Sequence, residues 1–579
     1  MAVYLRLLII AFCYAWAPCG HSDDLTLSKP LGAHTNAHGQ VTFALFAPGK
    51  HSVQWIGATN NWGEKPLFMT QENDGVWHIT LDLAPGEHAY QYLVDGGRKL
   101  ADPYATEIQW NRPDGTKGWL PEEALSVVHV GQQPYPWQAD NLSRPPLENL
   151  IIYEVYIHDF CPGEGIKGIT KRLDYIKDLG VTALQLMPWH PFPGNESWGY
   201  NPAYHFAVEQ TYGSAEDLKR LIDEAHQRGL AVIMDLVLNH AEWGSSLFRL
   251  YGDAYDVNPY FKAFKGDNWG FPKIDQESEA VKRWTADVIR YWIREFRLDG
   301  FRYDATRWTG WSGYNDWGAS WYAYVARQED KHSIQIAEHL PIEPALIITS
   351  EMDTGWHAEY RWNIREMIKN GRFEENVLRD MLDARRLGFE SSLQRMVYTE
   401  SHDEERVWRE LSESGYEGEA LWRRAVMALA LPLTSPGPVM LYAGQEFGER
   451  TPKFVGWNPL NWSLLVSHDG KRLHDAARTL IHLRREHPAF QSEQVELVYV
   501  DDAKGLAAYR RGEGAHAMLV AFNVGQESAA LPGAIQTLCA TGKLIFSNVD
   551  DEHMDSSVLD DGELRIYAIP DAAGAAAND

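Results

Sequence analysis

The chain has few cysteines, a deficit of cations and no apolar run long enough to cross a bilayer. Four cysteines in 579 residues exclude a disulfide framework. Cys13 and Cys19 lie in or beside an amino-terminal apolar stretch, which leaves Cys161 and Cys539 far apart, too few for a zinc site and expected to be unpaired thiols. Lys plus Arg number 53 against 80 Asp plus Glu, a formal net charge of −27. A surface that acidic repels phosphate backbones and anionic headgroups, which excludes nucleic acid as a partner. The uncharged run 7–19 falls short of the roughly 20 residues of a membrane span. It follows Arg6 and contains Ala15-Trp16-Ala17, a small-x-small cleavage pattern. Residues 1–22 are therefore expected to be a signal peptide, with a lipid anchor on Cys19 as the variant, and the mature protein to be secreted or periplasmic. A second uncharged run, 425–445, is interrupted by Pro432, Pro436 and Pro438, which break a helix, so it reads as buried helix, loop and strand. No transmembrane span is expected. The sequence also lacks an internal repeat, a Ser-His-Asp pattern and the clustered histidines of a metal hydrolase.

Aromatic residues are abundant: 23 Trp outnumber 20 Phe, beside 27 Tyr. Flat amphipathic rings suit the apolar faces of sugars, and they also fill large cores. At roughly 150 residues per domain the length implies two to four domains. Period-2 alternation at 41–46, 52–56, 75–81 and 88–94, punctuated by Gly, Pro and Asn, predicts a β-sandwich over 25–130. Residues 131–148, with Pro134, Pro136, Pro145 and Pro146, read as a linker.

From residue 149 the rhythm changes. Near-continuous apolar runs at 151–157 and 181–187 are expected where both faces of a parallel strand are covered. Between them Ile169, Leu173 and Ile176 keep helical spacing up to Gly180. A helix opening at Ser214 carries Leu218, Leu221, Ile222 and Ala225 on one face and stops at Gly229. Further strands fit at 230–238, 299–304, 333–337, 396–399 and 439–442, with a helix at 279–296. The fold class that follows is α/β: a (β/α)₈ TIM barrel over 149–488 with a small insertion at about 241–273. Short alternating segments, as at 505–509 and 517–522, predict a carboxy-terminal all-β domain, a β-sandwich over 489–570, before an Ala-rich tail at 571–579 expected to be disordered.

In such a barrel the chemistry sits where strands end. Here those ends hold carboxylates and histidines: Asp235-Leu236-Val237-Leu238-Asn239-His240, Arg302-Tyr303-Asp304, Glu338-His339 and Glu400-Ser401-His402-Asp403. Four such ends in this order resemble the α-amylase family of glycoside hydrolases from about residue 151 to 447. The resemblance implies a nucleophile at Asp304, a general acid/base at Glu338 and a third carboxylate at Asp403 that holds sugar hydroxyls. It further implies that Arg302 orients Asp304, that His240 and His402 bind the sugar, and that Tyr200, in Trp198-Gly199-Tyr200, stacks beneath it. Trp198 and Asp235 join the expected substrate-binding set.

Physical chemistry asks for the same parts, since retention needs one ionised and one protonated carboxyl roughly 5 to 5.5 Å apart. Arg302, two residues before Asp304 on one strand, points to the same side and can keep it ionised. Glu338, close to that charge and partly desolvated, is expected to have the raised pKa.

Other features compete or depart. Gly163-Glu164-Gly165-Ile166-Lys167-Gly168 matches the G-x-G-x-x-G dinucleotide pattern. The following strand, however, ends in Met187-Pro188-Trp189-His190, without an acid for the ribose, and a βα loop explains the glycines as well. The segments Phe43 to Pro48, Asn60-Asn61-Trp62 and Asp102-Pro103-Tyr104 resemble the domain that precedes the barrel in isoamylases and branching enzymes. Trp55, Trp62 and Trp77 there are either a sugar platform or core packing. Arg307 and Trp308 stand where many α-amylases have a Lys-His pair, so a structural Ca²⁺ rests on Asn239 alone, and no cofactor is expected for the chemistry. The function expected is retaining endo-hydrolysis of α-1,4-glucosidic bonds in starch- or glycogen-type glucans or maltooligosaccharides. The alternatives are α-1,6 debranching, for which Trp198 to Pro202 and Tyr398 to Asp403 also fit, glucan branching, to which Gln445-Glu446-Phe447-Gly448 is similar, and, more remotely, a non-catalytic glucan-binding protein.

Overall fold

Eight parallel strands close on themselves: β1 (Ile151–Val155), β2 (Ala183–Leu186), β3 (Ala231–Leu236), β4 (Gly300–Tyr303), β5 (Ile334–Ala337), β6 (Thr354–Trp356), β7 (Arg395–Met396) and β8 (Val439–Tyr442). Each pairs with the next, β8 pairs with β1, and a parallel bridge between Val397 and Val439 joins β7 to β8. The computed structural model describes residues 26–569 apart from 37–38, 111–117, 119, 140–141, 195–196, 264–268, 312–316, 550–554 and 556. The expected signal segment with Cys13 and Cys19, and the tail 571–579, lie outside the described residues. Among the described residues no helix is long and apolar enough to cross a membrane.

Alternation of side chains along the strands explains what the barrel holds. Ile152, Ala183, Ala231, Ile233, Ile334, Ile336, Trp356, Met396 and Met440 form one apolar cluster inside it. Their neighbours in sequence, among them Tyr153, Leu184, Val232 and Met234, belong to the larger core shared with the surrounding helices. Two residues further along the inward-facing register stand Glu154, Gln185, Asp235, Arg302, Asp304 and Glu338. An apolar plug therefore fills the lower barrel and a charged layer caps it.

The helices follow the sequence closely. Helix α1 (Ala215–Gln227) opens with reciprocal 3.1 Å bonds between Ser214 and Asp217 and buries Leu218, Leu221, Ile222 and Ala225. Helix α2 spans Glu279–Phe296. Helix α3 (Gly418–Thr434) runs through Pro432 rather than ending there. Proline has no N–H for the Ala428 carbonyl four residues back, and the Thr399 hydroxyl donates to that carbonyl instead, at 2.9 Å. Strand β6 has no counterpart in the sequence reading. It is three residues long with a glycine at its centre, too short to show a period.

The glycines of the G-x-G-x-x-G segment are explained by packing. Gly165 has φ of +54° and a Cβ there would lie 2.2 Å from the Tyr212 carbonyl oxygen; one on Gly168 would meet Cys161 Cβ at 2.3 Å. Both Cys161 and Cys539 are buried free thiols.

Two antiparallel sheets precede the barrel, one ordered 32–35, 40–46, 76–82, 70–71, the other built on 53–57, 86–94 and 125–130. Trp55 and Trp77 are core residues at 1% and 6% exposure, so the three-tryptophan platform does not form, and only Trp62 is exposed, at 41%. This domain docks on the barrel through Tyr104, which stacks on Phe206 at 4.6 Å and donates to Asp287 at 3.1 Å. The proline-rich segment is strapped down rather than free. Its Ala139 N–H donates to Asp223 at 2.7 Å and Arg144 pairs with Asp299 and Asp330. The carboxy-terminal sheets are joined by a helix, Gly533–Thr541, so that region is β-rich rather than all-β. Ile535 and Cys539, four apart, anchor its inner face.

Candidate active site

A cavity of about 370 Å³ opens at the carboxyl ends of the strands, lined by Trp198, Tyr200, His240, Arg302, Asp304, Glu338, His402 and Asp403 among others. At its floor lies the Arg302 guanidinium, buried completely. Its Nη1 donates to Asp235 Oδ1 at 2.7 Å and Asp304 Oδ1 at 3.1 Å, and Nη2 lies 3.0 Å from Glu338 Oε2. Trp356 presents its ring to the same cation, 4.4 Å from centroid to Cζ. Burial works against the arginine charge, but Asp235, Glu338 and Asp304 outweigh it and push its pKa up.

The backbone fixes both reacting carboxylates. Asp304 N–H donates to the Leu236 carbonyl at 3.1 Å and Glu338 N–H to the Tyr303 carbonyl at 3.0 Å, so each sits one residue past its strand on the ladder. Ala305 then turns into the left-handed region, φ +50°, a costly conformation for a residue with a Cβ. It aims the Ala305 N–H at Glu338 Oε2, 2.8 Å away. Oε2 thus takes the Ala305 N–H and faces the Arg302 cation, and Oε1 is turned away from both.

The acids differ in access. Asp235 has no exposed side-chain surface, whereas Asp304, Glu338 and Asp403 expose 11%, 12% and 40% of theirs. Asp235 thus lies behind the lining, taking the Tyr200 hydroxyl at 2.6 Å as well as Arg302, and it positions those two groups rather than meeting a ligand. Burial pushes its carboxyl up to about 6 against the pull of Arg302. Asp304 is also pushed up, well above the carboxylate range, by burial and then by Glu338, with Arg302 opposing. This departs from the expectation that Arg302 keeps Asp304 ionised: burial first, and then the charge of the neighbouring Glu338, work against that pull.

Asp403 goes the other way. Burial would raise it, but His402, Arg302, Lys453 and Arg361 hold it below the usual range. His402 is gripped by Glu154, which accepts from His402 N–H at 3.0 Å and from Nδ1 at 2.9 Å. Burial opposes the imidazolium, yet Asp403 and Glu154 hold its pKa at about 9. Tyr200 stacks on His402 at 5.0 Å and Trp198 meets it edge-on at 5.5 Å.

His240 reaches the lining with both ring nitrogens engaged, Nδ1 by Asn239 at 3.3 Å and Nε2 by the Tyr200 carbonyl at 2.6 Å. Burial lowers its pKa to about 4, so it is neutral, and Phe271 stacks on it at 4.9 Å. Through Nε2 it braces the Tyr200 backbone.

Glu154, Trp356, Trp269, Phe271, Lys453 and Val455 escaped the sequence reading. Glu154 alone had a signal, a lone acid in the apolar run Ile-Ile-Tyr-Glu-Val two residues past an inward-facing isoleucine. Glu446, from the segment similar to branching enzymes, is buried and takes the Tyr153 and Tyr175 hydroxyls at 2.6 and 2.7 Å. Its role is packing.

The residues at Asn239 do not fit a calcium ion. Asn239 Oδ1 accepts from the Lys273 ammonium at 2.5 Å, and the same ammonium donates to the Trp308 carbonyl. A fixed cation already occupies the place where calcium would bind. Among the described residues no group of three or more His, Cys, Asp or Glu converges as a metal site.

Two outcomes are expected. Prolonged chelation should leave activity and Tm unchanged, and a loss restored by Ca²⁺ would contradict the ammonium assignment. Glu154→Gln should lower the pH at which His402 loses its proton by about one unit or more, the scale of a lost ion pair within 4 to 6 Å, read by NMR titration of its ring. The sign follows from the cause: His402 is held at about 9 by Asp403 and Glu154, so its charge is lost as pH rises through that value and is lost earlier without Glu154. An unmoved titration would contradict the pairing.

Residues 161–260 match the alpha-amylase catalytic domain and residues 30–105 match carbohydrate-binding module 48, the isoamylase N-terminal domain. A malto-oligosyltrehalose trehalohydrolase of Saccharolobus solfataricus is 28% identical over 71% of this chain and 74% of its own length. A 1,4-alpha-glucan branching enzyme of Mycobacterium bovis is 27% identical over 80% of this chain and 68% of its own. In fold, a pullulanase of Group B Streptococcus in complex with maltotetraose superimposes with a TM-score of 0.79 at 19% identity, covering 93% of this chain and 88% of that one. The barrel, its preceding sheets and these matches agree: the chain is a glycoside hydrolase with an α-amylase-type catalytic barrel and an isoamylase-type amino-terminal domain.

Proposed function

We propose that this glycosidase hydrolyses internal α-1,4-glucosidic bonds of starch- or glycogen-type glucans or maltooligosaccharides with retention, and that residues 1–22 direct it out of the cytoplasm. The observation that carries the mechanism is Arg302 bridging Asp304 and Glu338 at the floor of an open cavity. Glu338, protonated at Oε1, gives its proton to the glycosidic oxygen as the C1–O bond breaks. Asp304 attacks C1 from the opposite face and forms a glucosyl ester. Glu338, now ionised, takes a proton from water, which attacks C1 and releases Asp304 with the α configuration restored. Asp403, ionised, and His402, cationic, hold the hydroxyls of the same sugar, and Tyr200 lies against its ring.

Arg302 contacts both acids, so as negative charge passes from Asp304 to Glu338 in the first step neither is left without a cation beside it.

Debranching is the second reading, supported by the segments around Trp198 and Tyr398. The relatives' names add branching and malto-oligosyltrehalose cleavage to what must be tested. Purified chain should be given amylose, pullulan, amylopectin and a malto-oligosyltrehalose in parallel. Maltooligosaccharides from amylose, initially in the α configuration, are expected. Activity confined to pullulan and amylopectin, trehalose release alone, or new branches without new reducing ends would each replace the α-1,4 reading.

A further inference from the structure

After β8 the chain forms a loop between Glu449 and Asn461 that the chemistry above does not use. It carries Phe454, Val455 and Trp457, exposed by 60%, 63% and 53%. Apolar side chains gathered in water on one loop mark a binding surface more often than chance exposure does. A loop that merely tolerated them would be loosely held, and this one is not. Glu449, buried, closes its neck: Oε1 accepts from the Thr451 N–H at 2.9 Å and hydroxyl at 2.7 Å, and Oε2 accepts from the Asn461 N–H at 2.6 Å.

Three further anchors act along its length. The Asp159 carboxylate accepts from the Asn458 N–H at 2.8 Å and its carbonyl from the Leu460 N–H at 3.0 Å. Asn458 Nδ2 spans the loop to the Pro452 carbonyl at 2.9 Å. On the inner side the Lys453 N–H donates to the Glu405 carboxylate and its ammonium to the Asp403 backbone carbonyl. The same ammonium lies 5.4 Å from the Trp198 ring centroid. The entropy of ordering the loop is therefore met before a ligand arrives.

Val455 lines the same cavity as Trp198, Asp304 and Asp403, so the exposed surface continues the catalytic cleft. Resting on the glucan-hydrolase reading, we propose that this loop is a built subsite: Phe454, Val455 and Trp457 form a platform for the apolar face of a further glucosyl residue on the side of the scissile bond away from the leaving group. The side follows from the contacts. Glu338, which serves the leaving oxygen, sits with Ala305 and Arg302, whereas the loop meets the cavity at Asp403 and Trp198. A pyranose face is flat and apolar, which suits exposed aromatic rings.

The test compares wild type with a Phe454→Ala, Trp457→Ala double variant. Both side chains are exposed, so the variant is expected to fold with an unchanged Tm. On maltooligosaccharides of three to eight units labelled at the reducing end, kcat/KM should fall by about tenfold or more for the long chains, as loss of two stacking rings implies. For the shortest chain cleaved the fall should be less than about twofold, and cleavage of long chains should move toward the non-reducing end. Equal loss at every length, or no loss, would overturn the platform. Calorimetric titration of maltoheptaose into Asp304→Asn protein, with and without the double substitution, separates this from the functional reading. If wild type cleaves no maltooligosaccharide, that reading fails, yet about tenfold weaker binding in the double variant still supports the subsite. Equal binding rejects it.

Discussion

A single guanidinium sets the terms for the top of this barrel. Among the described residues Arg302 touches Asp235, Asp304 and Glu338 together, and all four are largely out of water. Buried carboxylates are tolerated only when paired and hydrogen-bonded. Without the cation the three acids would repel, take up protons and move apart. With it they stand close enough to work on one bond. Asp235, entirely enclosed, serves as the fixed counter-ion that keeps the guanidinium in place.

The rest of the cleft is arranged around that charge balance. Trp356 covers the face of the guanidinium, excluding water from the interaction and so strengthening it. A second pair of acids, Glu154 and Asp403, holds His402 as a cation, which helps keep the Asp403 carboxyl below its usual range where burial pushes Asp304 above it. Two acids of one type thereby acquire opposite tendencies from their neighbours, the condition for dividing labour between them. Structural polar groups are kept out of this layer: Glu446 is spent on Tyr153 and Tyr175, and Asn239 on Lys273.

Much of this was legible in the sequence because it follows from periodicity. The inward register of residues 233 and 336 leads directly to Asp235 and Glu338, and α1 and α2 begin and end where caps and apolar spacing place them. What escaped is what lacks a period. Strand β6 is three residues around a glycine, and its Trp356 could not be assigned to the site without it. The lining contributed by Phe271 and Val455 comes from loops whose positions depend on distant anchors such as Glu449 and Asp159. The direction of the shift on Asp304 lacks a sequence signal for a similar reason: it depends first on how deeply the carboxyl is buried and then on which acids surround it, both set in three dimensions. The tryptophans of the first domain were ambiguous in sequence, since a ring that suits a sugar also suits a core, and burial placed Trp55 and Trp77 in the core.

The account rests on Asp304 as the attacking group and Glu338 as its proton partner, held by one arginine. The most direct measurement is intact-protein mass spectrometry of the Glu338→Gln variant mixed with α-glucosyl fluoride. That leaving group departs without an acid, so the first step proceeds while the second lacks its base. The account predicts a stable added mass of one glucosyl unit, mapping by peptide digestion to Asp304 and discharged by azide. An unmodified protein that nonetheless turns the fluoride over, or a label on any other residue, would contradict it.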